Sequence, residues 1–156
     1  MVHDDAITFA AALPATGALM GLDLGTKTIG VAVSDGLRQV ASPLEVIRRT
    51  KFTADAARIA ELAAARAIAG IVLGLPRNMD GSEGPRAQAS RAYARNLAEA
   101  FGLPVLLWDE RWSTASAEAA MIGQDMSRAK RSERIDSHAA AVILQGAIDR
   151  LAGGIL

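Results

Sequence analysis

Apolar and polar positions along this chain fall into short runs separated by glycine and proline. Leu19 to Asp35, LMGLDLGTKTIGVAVSD, carries two runs rich in Leu, Ile and Val on either side of a Gly-Thr-Lys-Thr turn. That pattern predicts a β-hairpin at the centre of a sheet. Gln39 to Arg48 alternates loosely and holds β-branched residues, which predicts a third strand, with Pro43 placing it at an edge or a bulge. An alanine-rich segment that Thr53 can cap predicts a helix through about Ala69, closed by Gly70. The wholly apolar run Ile71 to Leu75 fits a parallel strand covered on both faces. PRNMDGSEGP is loop by its glycines and prolines, and Pro85 suits the first turn of the next helix. In that helix Ser90, Tyr93, Ala94, Leu97 and Phe101 share one face by their spacing, and Gly102 and Pro104 stop it.

Pro104 to Trp108 predicts the last strand, which runs straight into Asp109-Glu110-Arg111. Ser113 or Thr114 can cap a helix through about Ile122, and the polar, basic stretch from Gly123 to Arg134 reads as a loop. The final helix is expected to start near Asp136, with Asp136, Ala140, Ile143, Ala147 and Leu151 on one face. This order, three antiparallel strands and then alternating helices and strands, defines an α/β fold. A mixed five-stranded sheet flanked by helices is expected, in a single domain over residues 18–152. The first 17 residues and residues 153–156 are expected to be tails. Ala6 to Leu22 is largely apolar, but Pro14 and Gly17 interrupt it, and Asp4 and Asp5 stand where a signal peptide needs positive charge. Residues 1–17 therefore read as a flexible segment, dispensable through Thr16.

Composition narrows the picture in three ways. The 156 residues contain no cysteine, which removes disulfides and cysteine-based zinc sites and agrees with a reducing, cytoplasmic setting. Lys+Arg and Asp+Glu both number 17, so no global field draws in nucleic acid or an anionic membrane, and any phosphate-binding surface must be local. No run reaches the roughly 18 consecutive apolar residues of a membrane span.

The chemistry lies with the acids. Asp23 sits inside an apolar strand, where a carboxylate must be paired, metal-bound or protonated. Asp109 and Glu110 end the last strand, and Asp136 lies on the inward face of the last helix. Acids brought together from distant positions repel unless a cation compensates, so their convergence reads as a divalent metal site of oxygen ligands, suited to Mg²⁺ or Mn²⁺. The alternative is a set of separately solvated acids, two of them helix caps. His138 falls roughly 200° around the helix from Asp136, away from the acids. Trp108 and Trp112 bracket the acidic pair and read first as packing residues.

Four stretches, DLGTKTIGVAVSD, GLPRNMDGSEGP, DERWSTASAEA and IDSHAAAVILQ, occur in an order and spacing that resemble the YqgF family, also called RuvX. The resemblance spans about Leu19 to Ala152. It implies a ribonuclease H-like fold with strand order 3-2-1-4-5, as in the RuvC resolvase. It also implies a metal-dependent nuclease that processes the precursor of 16S rRNA or resolves Holliday junctions. On the family pattern Asp23, Glu110 and Asp136 are the catalytic and metal-binding triad, with two Mg²⁺ or Mn²⁺ ions. Asp109 is an alternative ligand to Glu110, and Glu133, one helical turn before Asp136, an optional further acid. Lys27, Arg111, Arg128, Lys130, Arg131 and Arg134 are the expected contacts to nucleic acid, whether precursor rRNA or branched DNA. Thr28 stands where the family commonly has a basic residue, which weakens a phosphate contact from that turn. No membrane partner is expected, and both a monomer and a homodimer fit. Two other functions fit parts of the pattern: a nucleic-acid-binding module without catalysis, and a nucleotide-binding phosphotransferase of the actin and Hsp70 kind. The latter needs two copies of the fold, for which 156 residues are too few.

Overall fold

The computed structural model describes the backbone of residues 1–112 and 128–153, and the side chains of residues 1–111 and 137–153. The helix expected from Ser113 or Thr114 to about Ile122 lies outside the described residues.

The hairpin forms as its two apolar runs dictate. Strand β2 (Leu19–Leu24) pairs antiparallel with β3 (Thr28–Ser34), Leu22 opposite Val31 and Asp23 opposite Gly30. Strand β4 (Ala41–Arg48) lies at the sheet edge against β3, and the register shifts between Val31 and Ala32, with Pro43 opposite Ala32. Pro43 thus occupies both the edge and the bulge, the two places where a missing N–H is tolerated. On the other side of β2, the parallel strands β5 (Gly70–Leu75) and β6 (Val105–Asp109) follow, each reached through a helix.

Helix α2 (Phe52–Ala65) starts at Lys51 without a side-chain cap, so Thr53 lies inside its first turn. Buried Asp55 fastens that end instead, accepting from Thr50 N at 3.2 Å and Thr50 Oγ1 at 3.3 Å. Gly70 opens β5 and does not close the helix. Helix α3 (Pro85–Phe101) buries Ala87, Ser90, Tyr93, Ala94, Leu97 and Ala98, and ends at Gly102, whose φ of 66° suits a residue without Cβ.

The strand pleat divides the core in two. Met20, Leu22, Ile71, Leu73, Val105 and Leu107 face α2 and α3, whereas Leu19, Val72 and Leu106 face helix α4 (Arg128–Gly153). Ala140, Ile143, Leu144, Ala147 and Ile148 form the apolar stripe of α4, at the three-and-four spacing of one helical face. At Gly21 a Cβ would stand 2.7 Å from Leu144 Cβ and 2.8 Å from the carbonyl oxygen of Ala140. The absence of a side chain there lets α4 lie directly on β2.

Two further expectations are corrected. The first 17 residues are not a flexible tail. Val2–His3 form β1, parallel to β6, and Ala6–Ala12 form α1, capped by Asp5, which accepts from Thr8 N at 2.8 Å. Phe9 is fully buried, Leu13 and Phe9 pack on Gly70, and Arg38 donates to the carbonyls of Pro14 and Gly17 at 2.8 and 2.7 Å. A two-residue strand and a seven-residue helix are too short to carry a periodic signal, although Asp5 followed by Thr8 is a capping pattern that the sequence displays. The sheet among the described residues is therefore six-stranded, β1-β6-β5-β2-β3-β4: the expected 3-2-1-4-5 order with one more strand at its edge. The second correction concerns α4, which begins at Arg128, eight residues before Asp136. The stretch read as a basic loop contains no glycine or proline after Arg128 and is rich in Ala, Lys, Arg and Glu. These are strong helix formers, and their polarity alone does not oppose a helix.

Candidate active site

Alternation along the strands assigns each acid to a face. Asp23 follows Leu19 and Gly21 on the α4 face of β2. Asp109 follows Val105 and Leu107 onto the α2/α3 face, and Glu110, which opens a short 3₁₀ turn (Glu110–Trp112), follows Leu106 and Trp108 onto the α4 face. Glu110 therefore reaches Asp23, and the two share a side-chain hydrogen bond. Burial holds the Glu110 carboxyl well above the usual carboxylate range. The negative charge of Asp23 and the hydrogen bond to it push in the same direction, and the Arg86 guanidinium partly opposes them.

Asp109 is in the opposite condition. Burial alone would raise it, but hydrogen bonds from the Arg111 side chain and backbone, with the charges of Arg111 and Arg77, hold it below the usual range. Arg111 Nη2 donates to Asp109 Oδ2 at 2.6 Å, its Nε lies 2.9 Å from the same oxygen, and Arg77 Nη1 stands 3.9 Å away. The pairing continues outward: Arg77 Nη2 is 3.6 Å from Glu83, and Arg91 binds Glu83 with two hydrogen bonds of 2.6 and 2.7 Å and Asp4 with one of 2.8 Å. This chain of ion pairs fixes the loop between β5 and α3, whose own turn is closed by Gly81 N to Asn78 O at 2.8 Å and by Asp80 Oδ1, accepting from Ser82 N at 2.9 Å. A cavity of about 270 Å³ lies on this side, lined by Asp4, Arg77, Trp108, Asp109, Arg111 and Arg150 among others, and not by Asp23 or Glu110.

The expected site residues divide accordingly. Asp23 and Glu110 come together; Asp109 does not join them. Lys27 is exposed in the hairpin turn, which is held by Gly25 N to Thr28 O at 2.8 Å and by Arg49 N to Lys27 O at 2.9 Å. Arg111 is engaged by Asp109 and by the carbonyl of Met79 at 3.4 Å. Glu133, Asp136, Arg128, Lys130, Arg131 and Arg134 lie on the helical backbone of α4, but their side chains are outside the described ones, as is that of Trp112. Among the described residues no group of three or more His, Cys, Asp or Glu is placed to hold a metal. Trp108 packs against α4 beside Gly146, in agreement with a packing role. Sequence reasoning passed over Arg86 and Arg77. The first is the second residue of α3, and the second lies in the loop after β5, so both sit at the carboxyl ends of the strands, where ligands of such sheets gather.

This mixed, helix-flanked sheet has the ribonuclease H-like fold seen in RuvC. Thermus thermophilus RuvC, solved in complex with a Holliday junction substrate, superposes with a TM-score of 0.54 over 88% of this chain and 96% of that one, at 18% identity. Fowlpox virus resolvase, solved with Holliday junction DNA, gives 0.51 over 86% and 98%, at 10% identity. The chain belongs to the RuvX family: the family model described as RuvX, Holliday junction resolvase, matches residues 17–150. Curated relatives from Cereibacter sphaeroides and Paracoccus denitrificans, each named "Putative pre-16S rRNA nuclease", are 64% and 65% identical over 151 residues. They cover 97% of this chain and 94% and 96% of their own lengths. Family membership sets aside the phosphotransferase reading. No helix among the described residues is long and apolar enough to cross a membrane.

Proposed function

We propose that this chain is a cytoplasmic, divalent-metal-dependent nuclease that hydrolyses phosphodiester bonds in the precursor of 16S rRNA. The observation that carries the reading is the meeting of Asp23 and Glu110 at the carboxyl ends of the central strands. Two carboxyl groups forced into one hydrogen bond, one of them buried and shifted upward, form a site that a hard cation relieves. The donors are oxygens, which suit Mg²⁺ or Mn²⁺. Asp136 is the proposed third ligand: it precedes Ala140 by one turn of α4, and the carbonyl of Ala140 lies on Gly21, two residues before Asp23 on β2. When bound, a pair of such ions would supply an activated water and charge for the leaving oxygen.

The protein's own part is positioning. Asp23 is held by the central strand, Glu110 by the turn that ends β6, and Asp136 belongs to a helix seated on the same sheet. Lys27 and Arg86 stand at the same end of the sheet with positive charge for the phosphate backbone. Arg128, Lys130, Arg131 and Arg134, in the first turns of α4, are the further proposed phosphate contacts, of the kind that add affinity without reading sequence. The names of the curated relatives favour the RNA precursor, and the family description favours a branched DNA junction. The deciding experiment offers both substrates side by side to purified protein with Mn²⁺, Asp23→Asn serving as control. Metal-dependent shortening of the RNA precursor by wild type alone is expected. Binding without cleavage of either substrate would identify a non-catalytic module and end the nuclease reading.

A further inference from the structure

Glu110 and Asp23 meet although a strand lies between them. In the sheet order β6-β5-β2, Gly74 is opposite Trp108 on β6, and Leu73 is opposite Leu22 on β2, so one further step along the register sets Gly74 beside Asp23. Neighbouring strands are about 4.8 Å apart, and a carboxylate from the end of β6 must therefore pass over β5 to reach β2. The residue it passes over is Gly74. A Cβ built there stands 2.7 Å from Glu110 Cγ and 2.8 Å from Glu110 Cδ, well inside the roughly 3.5–4.0 Å of carbon atoms in contact.

We propose that Gly74 is a positioning residue, whose missing side chain is the notch through which Glu110 crosses β5 to lie against Asp23. The inference rests on the reading of Asp23 and Glu110 as the metal-holding pair. Gly21 makes a useful contrast: a Cβ there meets α4 atoms, from Leu144 and Ala140, so its smallness serves helix packing. Gly74 touches both kinds of neighbour, because the same Cβ would also lie 2.8 Å from Ile143 Cδ1. Any single substitution thus mixes a packing defect with a displaced carboxylate.

Ile143→Val separates the two, since it deletes the δ-methyl that a larger residue 74 would strike and leaves Glu110 untouched. Melting temperature, Mn²⁺ binding by calorimetry and cleavage are compared for wild type, Gly74→Ala, Ile143→Val and the double variant, with a crystal structure of the last. The double variant is expected to recover the melting temperature of Ile143→Val, yet to bind Mn²⁺ and cleave about 10–100-fold less well, the range typical of lost support for a metal ligand. Its crystal structure is expected to show Glu110 turned away from Asp23. Recovery of Mn²⁺ binding and cleavage together with stability, or Glu110 still against Asp23, would overturn the proposal. If wild type itself neither binds Mn²⁺ nor cleaves, the nuclease reading fails, and the position of Glu110 in the crystal decides the role of Gly74 by itself. Should the double variant not fold, adding Glu110→Ala decides: restored folding identifies Glu110 as the group that a methyl at 74 displaces, and continued failure counts against it.

Discussion

Asp109 and Glu110 are adjacent in sequence and live in opposite electrostatic worlds. Asp109 faces α3, accepts from Arg111 at 2.6 Å, stands within 3.9 Å of Arg77, and is held below the usual carboxylate range. Glu110 faces α4, lies against another acid and is held above that range. The strand pleat alone separates them, since one residue's advance reverses the face. The difference shows how one strand end serves two purposes. Asp109 uses its charge to tie the loop after β5, through Glu83 and Arg91, to Asp4 next to β1. Glu110 is left holding a proton by burial and by the charge of Asp23 beside it.

The largest effect expected from breaking this comparison is on chemistry. Glu110→Gln should lower cleavage by more than about 100-fold, because loss of groups that merely support a metal ligand already costs 10–100-fold. The variant should stay folded and melt no lower than wild type without metal, since its neutral amide stands in for the protonated Glu110 carboxyl beside Asp23. Near-normal cleavage by folded Glu110→Gln would remove it from the site. Asp109→Asn should do the reverse. It leaves Arg111 and Arg77 short of their carboxylate and should cost roughly 1.5–3 kcal/mol, the range for hydrogen bonds to charged groups, seen as a melting temperature lower by about 3–12 °C. Cleavage by the folded fraction should remain within a few-fold of wild type. A loss as deep as that of Glu110→Gln, with the melting temperature unchanged, would reverse the roles assigned to the two acids.

What the sequence revealed of this arrangement was local. The hairpin, the buried strand Ile71 to Leu75 and the apolar face of α3 follow from short periodic runs, and Asp23 stood out because a charge inside such a run needs an explanation. The choice between Asp109 and Glu110 was open on pattern alone, because it depends on which face α4 covers, and the family resemblance supplied it. The contacts that define the Asp109 side were illegible for the same reason: Asp4 and Arg91 are 87 residues apart, and nothing in their surroundings announces a partner. The N-terminal strand was lost because it is only two residues long and gains its meaning from β6. The early start of α4 was lost because its first turns carry charges where an apolar face was sought. Gly74 was visible only as a small residue in an apolar strand; its neighbour Glu110 had first to be placed above it.

The smallest effect tests the electrostatics of the Glu110 side through pH. Its folded value lies above that of an ordinary glutamate, so the folded protein holds a proton that the unfolded chain has already released. The stability this contributes is complete below the ordinary glutamate range and is lost as pH rises through the raised folded value. Without metal, wild type should therefore lose melting temperature between weakly acidic and weakly alkaline pH, and Glu110→Gln should lose less over the same interval. Asp109 adds nothing in that window: its lowered value places its own contribution above the ordinary aspartate range, to be lost only as pH falls into acid. Mn²⁺ should reverse the slope for wild type, since a cation competes with the shared proton and binds better as that proton leaves. Melting curves at several pH values, with and without Mn²⁺, measure all of this. Equal slopes for wild type and Glu110→Gln would show that the carboxyl pair does not carry the strain assigned to it.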